Sequence, residues 1–112
     1  MIAIDFPTYQ HFAVDTAIYP EVGNNLIYPT LGLVGEAGEL ANKVKKIQRD
    51  YDGILTEDMA RDLAAELGDI LWYCAAVAHE LNADLGGIAK ANLDKLYGRK
   101  IEGKLKGSGD DR

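Results

Sequence analysis

Two pairs of acidic residues lie in segments whose apolar residues recur at helical spacing. The first pair is Glu36 with Glu39, and the second is Glu66 with Asp69. At roughly 100° per residue, the members of each pair share one face of a helix and border an apolar stripe. The stripe beside the second pair comprises Leu63, Leu67, Ile70, Cys74 and Val77. The sequence therefore predicts two amphipathic helices, each with two carboxylates at the edge of the core.

Packed antiparallel, these two helices would bring the four carboxylates together. At about 4 Å, two like charges repel by roughly 4 kcal/mol at an effective dielectric constant of about 20. Several acids at the edge of a core therefore need an offsetting cation. A ligand set made only of oxygen atoms favours Mg²⁺, with Mn²⁺ as an alternative, over zinc or copper.

The remaining patterns predict four helices and a C-terminal tail in one domain that spans residues 1–112. Pro20, Gly23 and Asn24 indicate a loop. Thr56 is a favourable N-cap because acidic residues follow it directly. The predicted helices are Phe6–Ile18, Pro29–Arg49, a segment from the Thr56 cap to Leu81, and Leu85–Arg99, with a flexible tail or lid at about 100–112.

A line of phosphate-binding candidates follows the two acidic helices. Asn92, Lys95 and Arg99 are spaced i, i+3 and i+7, which places an amide and two cations along one side of a helix. Such a line can receive phosphates, although a charged face in solvent has the same spacing. Lys43 is a further candidate because it shares the helix face of the first acidic pair.

Three glycines interrupt the second predicted helix at every third position. Gly32, Gly35 and Gly38 each cost a helix up to about 1 kcal/mol relative to alanine. Close packing of a neighbouring helix would offset this cost, and room for a metal-bound phosphate beside the carboxylates would be a functional reason. The two explanations are compatible.

Charge and hydropathy exclude several classes of protein. The net charge of −6 argues against binding to a nucleic-acid backbone. No apolar run approaches the roughly 18 residues of a membrane span, so no membrane partner is expected. Cys74 is the only cysteine, which rules out an intrachain disulfide and favours a reducing compartment. We therefore expect a cytoplasmic protein.

The combined motifs resemble the MazG-like nucleoside triphosphate pyrophosphohydrolases, and specifically their compact single-domain members. A lone Glu-x-x-Glu is common in helices, but both acidic pairs in this order, followed by the helix with the amide and cations, are specific. The resemblance covers nearly the whole chain. The matching motifs are Gly35-Glu-Ala-Gly-Glu-Leu40, Glu66-Leu-Gly-Asp-Ile-Leu-Trp72, Asn92-Leu-Asp-Lys-Leu96 with Arg99, and Gly107-Ser-Gly-Asp-Asp-Arg112.

The resemblance implies an all-α four-helix bundle that assembles as a homodimer or a dimer of dimers. The implied reaction is hydrolysis of a nucleoside triphosphate to the monophosphate and pyrophosphate. The implied metal ligands for Mg²⁺ are Glu36, Glu39, Glu66 and Asp69. Glu39 is also our nominee for the general base. The implied triphosphate ligands are Lys43, Asn92, Lys95 and Arg99.

Recognition of the nucleobase is the least specific of these expectations. Gln10, Asn25, Tyr28 and Trp72 are candidates because amides and aromatic rings suit a base, although such residues are common in cores. Gln10 lies near the inward face of the first helix, where it reaches either a ligand or a backbone group. Many relatives have asparagine where this chain has Asp111, so we assign that residue no role.

Three other functions fit parts of the pattern. A di-iron carboxylate bundle requires Glu-x-x-His pairs, and neither histidine follows a glutamate at that spacing. Hydrolysis of a modified nucleotide or another pyrophosphate compound would use the same metal and phosphate residues. A non-catalytic helical assembly module would have no use for two matched acidic pairs.

Overall fold

The computed structural model describes residues 3–103 and contains four α-helices. Within this range there is no β-strand, which confirms the predicted all-α class. The predicted tail or lid from residue 104 onward lies outside the described residues. The helices are α1 (Phe6–Asp15), α2 (Ile27–Asp50), α3 (Glu57–Glu80) and α4 (Leu85–Ile101).

Side-chain caps set the beginnings of two helices. The backbone N–H of Met59 donates to Oγ1 of Thr56 at 3.1 Å, which confirms Thr56 as the N-cap of α3. Asp5 caps α1 in the same way by accepting from the N–H of Thr8 at 2.8 Å. α1 is three residues shorter than predicted because Thr16 turns its backbone N–H and its hydroxyl back to the carbonyl of Ala13.

α2 begins two residues earlier than predicted, so Tyr28 lies in its first turn rather than in the preceding loop. Asn25 supports this start because its Oδ1 accepts from the N–H of Tyr28 at 3.1 Å. Pro29 is tolerated one position further on, since the first-turn N–H groups have no partner inside a helix. At the other end of the chain, α4 extends to Ile101 and takes in the first two residues of the predicted tail.

α2 and α3 form a long helical hairpin that is the frame of the fold. α1 packs against α3, and α4 packs against α1 and α3 without packing against α2. The buried cluster at this junction is made of small side chains around one leucine, with three larger side chains packed on it. Its buried members are Ala13, Ala75, Ala78 and Leu85, and Tyr9, Trp72 and Cys74 lie against them.

Two polar side chains tie α1 and its following loop to the end of α3. Gln10 bridges the α3–α4 turn: its Nε2 donates to the carbonyl of Ala83 at 2.9 Å, and its Oε1 accepts from the N–H of Leu85 at 2.7 Å. The carboxylate of Glu80 accepts from the hydroxyl of Tyr19 and from the backbone N–H groups of residues 23 and 25, both at 2.7 Å.

The hairpin leaves much of its apolar surface uncovered. Leu67, which we predicted on the core stripe of α3, is 58% exposed because no helix of the protomer covers that part of α3. Leu31 and Val34 on α2 are 65% and 66% exposed. Among the described residues, none of the helices combines the length and apolar character needed to span a bilayer.

Candidate active site

The α2–α3 hairpin brings three of the four predicted metal ligands together. Glu36 projects from α2, and Glu66 and Asp69 project from α3, one helical turn apart. Each of the three can offer a carboxylate oxygen, and these oxygens all lie within 4.8 Å of one another. We call this group the carboxylate cluster.

Glu39, the fourth predicted ligand, is not part of this close group. It lies one turn after Glu36 on α2 and its side chain is exposed. Its charge still acts on the site, because it contributes to the raised pKa of Glu36. Its predicted roles as ligand and general base stay predictions.

The two carboxylate oxygens of Glu66 have different surroundings. Oε1 accepts from the ammonium of Lys43 at 2.8 Å. Oε2 is buried and has no hydrogen-bond partner among residues 3–103. The hydrogen bond from Lys43 holds the pKa of Glu66 below its ordinary value, although burial acts in the opposite direction. Glu66 is therefore an ionised carboxylate with one oxygen still to be satisfied.

The pKa of Glu36 shifts upward. The largest cause is hydrogen bonding with Glu66, followed by burial and by the negative charges of Asp69, Glu66 and Glu39. A proton held by Glu36 would bridge the two carboxyl groups, whereas with both groups ionised Oε2 of Glu66 has no partner. The negative charge on the Glu36 side of the cluster is therefore not fully neutralised.

These features fit a hard divalent cation. The donor atoms are all carboxylate oxygens, which suit Mg²⁺ or Mn²⁺. A buried acceptor without a partner is costly in a native protein, and a cation would satisfy it. The same cation would offset the repulsion between the carboxylates that adds to the raised pKa of Glu36. Glu36, Glu66 and Asp69 are the residues that would hold it.

Lys43 forms ion pairs with two acidic residues. Besides Glu66, its ammonium contacts both oxygens of Asp62, at 3.0 and 2.9 Å. Hydrogen bonds to Glu66 and then to Asp62 raise the pKa of Lys43 above its ordinary value, so it is a cation at neutral pH. Its contact with phosphate stays a prediction.

The three other predicted phosphate ligands lie on α4. Asn92 and Lys95 are exposed and Arg99 is half-buried. α4 packs against α1 and α3 but not against α2, the helix that carries Glu36. Binding of a triphosphate by these three residues likewise stays a prediction.

The four base-binding candidates differ in how they are engaged. The side-chain amides of Gln10 and Asn25 each form two hydrogen bonds with the backbone. Those of Gln10 are described above, and Asn25 donates to the carbonyl of Pro20 and accepts from the N–H of Tyr28. Trp72 packs against the alanine core and donates its indole N–H to Thr16 at 2.8 Å. Tyr28 stacks on the ring of Tyr19 at 5.2 Å between ring centroids and is 45% exposed.

Two tyrosines outside the predicted site residues interact electrostatically with the carboxylate cluster. Burial raises the pKa of Tyr73, and the nearby charges of Glu36 and Asp69 add to the shift. Burial likewise raises the pKa of Tyr9, with a contribution from Asp69. Tyr73 follows Asp69 by one helical turn, a spacing that could have identified it. Tyr9 lies 60 positions away in the sequence and carries no such signal.

Gly32 has a clear packing role. A Cβ at Gly32 would lie 2.1 Å from the Tyr73 ring, so the ring packs directly on the bare backbone of α2. In the described part of the chain, a Cβ at Gly35 or Gly38 would have no neighbouring atom within 4 Å. Within the protomer, close packing therefore explains only the first of the three glycines.

Comparison with known proteins agrees with this architecture. The MazG nucleotide pyrophosphohydrolase domain matches residues 28–102, which include both acidic pairs and all of α4. Gene 37 protein of Mycobacterium phage L5 is 53% identical over 109 residues, covering 93% of this chain and 96% of that protein. No solved structure matches the chain. The matched region contains the carboxylate cluster, and the chain belongs to the MazG nucleotide pyrophosphohydrolase domain family.

Proposed function

We propose that this protein is a Mg²⁺-dependent pyrophosphohydrolase that converts a nucleoside or deoxynucleoside triphosphate to the monophosphate and pyrophosphate in the cytoplasm. The observation that carries the proposal is the carboxylate cluster, in which Glu36, Glu66 and Asp69 converge and Glu66 keeps one buried oxygen without a partner. Membership of the family supports nucleotide pyrophosphohydrolase chemistry.

The cluster supplies what a triphosphate requires. A bound divalent cation would neutralise charge on the phosphate oxygens and on the departing pyrophosphate. The carboxylates would hold that cation on the rigid α2–α3 hairpin, since Glu36 projects from one helix and Asp69 from the other. Without a cation, a polyanionic substrate and several carboxylates would repel each other.

Glu39 is our candidate for the general base. It is exposed and lies outside the close group, one turn from Glu36, so its carboxylate has room to accept a proton from water. The water oxygen would form a bond to the α-phosphorus as the bond from that phosphorus to the α–β bridging oxygen breaks. Pyrophosphate leaves with the bridging oxygen, and the proton passes to Glu39.

The remaining substrate contacts are assigned by residue type. We propose that Asn92, Lys95 and Arg99 bind the phosphates, because an amide and two cations on one side of α4 suit their charge. Tyr28 is the candidate that we favour for the base, because its ring is stacked by Tyr19 and partly exposed.

Product analysis tests the reaction. The protein is incubated with each common NTP and dNTP, with Mg²⁺ or with chelator, and the products are resolved by ion-exchange chromatography. We expect metal-dependent formation of monophosphate and pyrophosphate in equal amounts. Diphosphate with inorganic phosphate would refute the proposed bond. No turnover of any of them would reject canonical nucleotides as substrates.

Matched variants test the site. Asp69→Asn and Glu39→Gln should each abolish turnover and keep the helical circular-dichroism spectrum, because removal of one of several mutually repelling acids does not unfold the hairpin. The control is Asp58→Asn, the same chemical change at an 89% exposed side chain on α3. Full activity in Asp69→Asn would reject the carboxylate cluster as the active site.

We also propose that the chain is a homodimer or a dimer of dimers. It exposes 8385 Å² of surface, whereas a compact monomer of this size exposes about 6,100 Å². Subtracting the largest surface that the 11 residues outside 3–103 can contribute still leaves an excess of about 1,000 Å². Each partner in a standard protein interface buries about 800 Å². The excess surface is sufficient for a stable dimer.

Exposed apolar side chains lie on both helices of the hairpin. On α2, Leu31 and Val34 share a side with Gly38, roughly opposite Glu36, and Gly38 has nothing packed against it. On α3, the apolar stripe is buried under α1 at Ala78 but exposed at Leu67. A second hairpin would cover these residues and offset the helix cost of Gly38.

Analytical ultracentrifugation tests this assembly. The wild type should sediment as a dimer or larger, and Leu67→Asp should shift it toward monomer because it buries a charge in the interface. The matched control is Ile18→Asp, at a 95% exposed position in the α1–α2 loop. A wild-type protein that stays monomeric at all concentrations would overturn the proposed assembly.

A further inference from the structure

We infer that Lys43, anchored by Asp62, is a positioning residue that turns the free oxygen of Glu66 toward the cation site. This inference rests on the proposed function, because it assigns a role toward the cation held by the carboxylate cluster. It gives Lys43 a task other than the predicted contact with phosphate. Two features support it: the way Glu66 is held, and the way Lys43 is held in turn.

The two oxygens of Glu66 face different groups. Lys43 reaches across from α2 and takes Oε1 at 2.8 Å. Oε2 is thereby left buried and without a partner, in the group formed with Glu36 and Asp69. A carboxylate with both oxygens free to rotate would not present one of them consistently. The contact with Lys43 removes that freedom.

Asp62 fixes Lys43 in turn. Lysine has a long flexible side chain whose single ammonium can adopt many positions. Here the ammonium contacts both Asp62 oxygens, at 3.0 and 2.9 Å, as well as Glu66. Asp62 precedes Glu66 by four residues, so both acids project from neighbouring turns of one face of α3. The ammonium is thus held between two fixed points on the opposite helix.

The arrangement is better suited to orientation than to stability. The side chain of Asp62 is 58% exposed and that of Lys43 is 31% exposed, whereas that of Glu66 is 14% exposed. The exposed pair of Lys43 with Asp62 contributes little to folding stability, because water screens it and ordering the side chains costs entropy. Residues that orient a metal ligand, by contrast, typically change metal affinity by about 10- to 100-fold when they are replaced.

The charge of Lys43 makes the test decisive. A cation close to a metal site repels the metal, so a Lys43 that acted only through its charge would weaken metal binding. Its removal would then tighten binding. A Lys43 that positions Glu66 has the opposite effect, since its removal leaves the ligand free to turn away. The two roles therefore predict changes of opposite sign.

The experiment measures Mn²⁺ binding to the full-length protein without nucleotide, using the electron paramagnetic resonance signal of free Mn²⁺. The variants are Lys43→Met, Lys43→Arg and Asp62→Asn, with melting temperatures measured alongside. The control is Lys90→Met, which breaks an exposed 2.6 Å ion pair with Asp94 on α4, a helix that does not pack against α2.

We expect Lys43→Met to weaken Mn²⁺ binding by about tenfold or more, and Asp62→Asn, at a 58% exposed side chain, to keep the wild-type melting temperature. Lys43→Arg should recover most of the affinity, Asp62→Asn should cause a smaller loss, and Lys90→Met should cause none. Unchanged or tighter binding by Lys43→Met would overturn the positioning role and leave the proposed function standing. No Mn²⁺ binding by the wild type would overturn both.

Discussion

The contact between Gly32 and Tyr73 gives the sharpest prediction about the fold. In Gly32→Ala, the new Cβ would lie 2.1, 2.4 and 2.7 Å from three atoms of the Tyr73 ring. The ring must move by more than an ångström to restore ordinary contact. Ala would improve helix propensity by up to about 1 kcal/mol, but overpacking of a fitted site costs about 1–3 kcal/mol.

We therefore expect Gly32→Ala to be less stable than the wild type by about 1–2 kcal/mol, which lowers the melting temperature by roughly 5–15 °C in a domain of this size. Gly35→Ala is the matched control on the same helix, since nothing lies within 4 Å of its Cβ position. It should melt at or above the wild-type temperature. Differential scanning calorimetry measures both.

A double-mutant cycle identifies the cause. If the Tyr73 ring is the obstacle, Tyr73→Leu should relieve most of the additional cost of Gly32→Ala, so the two changes will not be additive. Additive effects would show that Gly32 matters for some reason other than this contact. A Gly32→Ala protein as stable as Gly35→Ala would refute the packing argument outright.

Three further outcomes are expected. Thr56→Ala should destabilise the protein by about 1 kcal/mol in urea unfolding, and Thr56→Ser should not, because serine also caps α3. Burial alone would raise the pKa of Glu80, but hydrogen bonds from Tyr19, Asn25 and Gly23 outweigh it and hold the pKa below its ordinary value of 4.5. The stability that Glu80 confers is therefore complete above about pH 4.5 and is lost as the pH falls through its lowered native pKa. Glu80→Gln should lower stability by about 1–2 kcal/mol at neutral pH, and the difference should shrink on acidification; a pH-independent difference would contradict this. Removing residues 104–112 should slow turnover without lowering the melting temperature if they form the predicted lid, and unchanged kinetics would reject it.

Local signals predicted the helices and placed all three members of the carboxylate cluster on them. The spacing of Glu66 and Asp69 fixes them on one helix face, and Thr56 marks the start of that helix. These properties depend on residues three or four positions apart, so they can be read from the chain alone. The observed convergence of three acids follows once α2 and α3 pack together.

The sequence-based predictions were wrong or incomplete where burial or contact depends on which helix packs against a residue. The helical period correctly placed Leu67 on an apolar face, but it does not specify which helix covers that face, and in the protomer none does. The link from Lys43 to Asp62 joins residues on different helices. The anchoring of Tyr19 by Glu80 spans 61 positions. No local pattern identifies such pairs, because each depends on the packing of the whole chain.

The position of α1 affects the order in which the helices can pack while the chain is being synthesised. Gln10 bonds residues 83 and 85, Thr16 bonds Trp72, and Tyr19 bonds Glu80. α1 thus leaves the ribosome before these partners, which are made some 56 to 75 residues later. At about 5–20 residues per second, that delay lasts roughly 3–15 s. During this interval the apolar side of α1 has no native surface to bury against, and the α2–α3 hairpin is the first unit that can assemble.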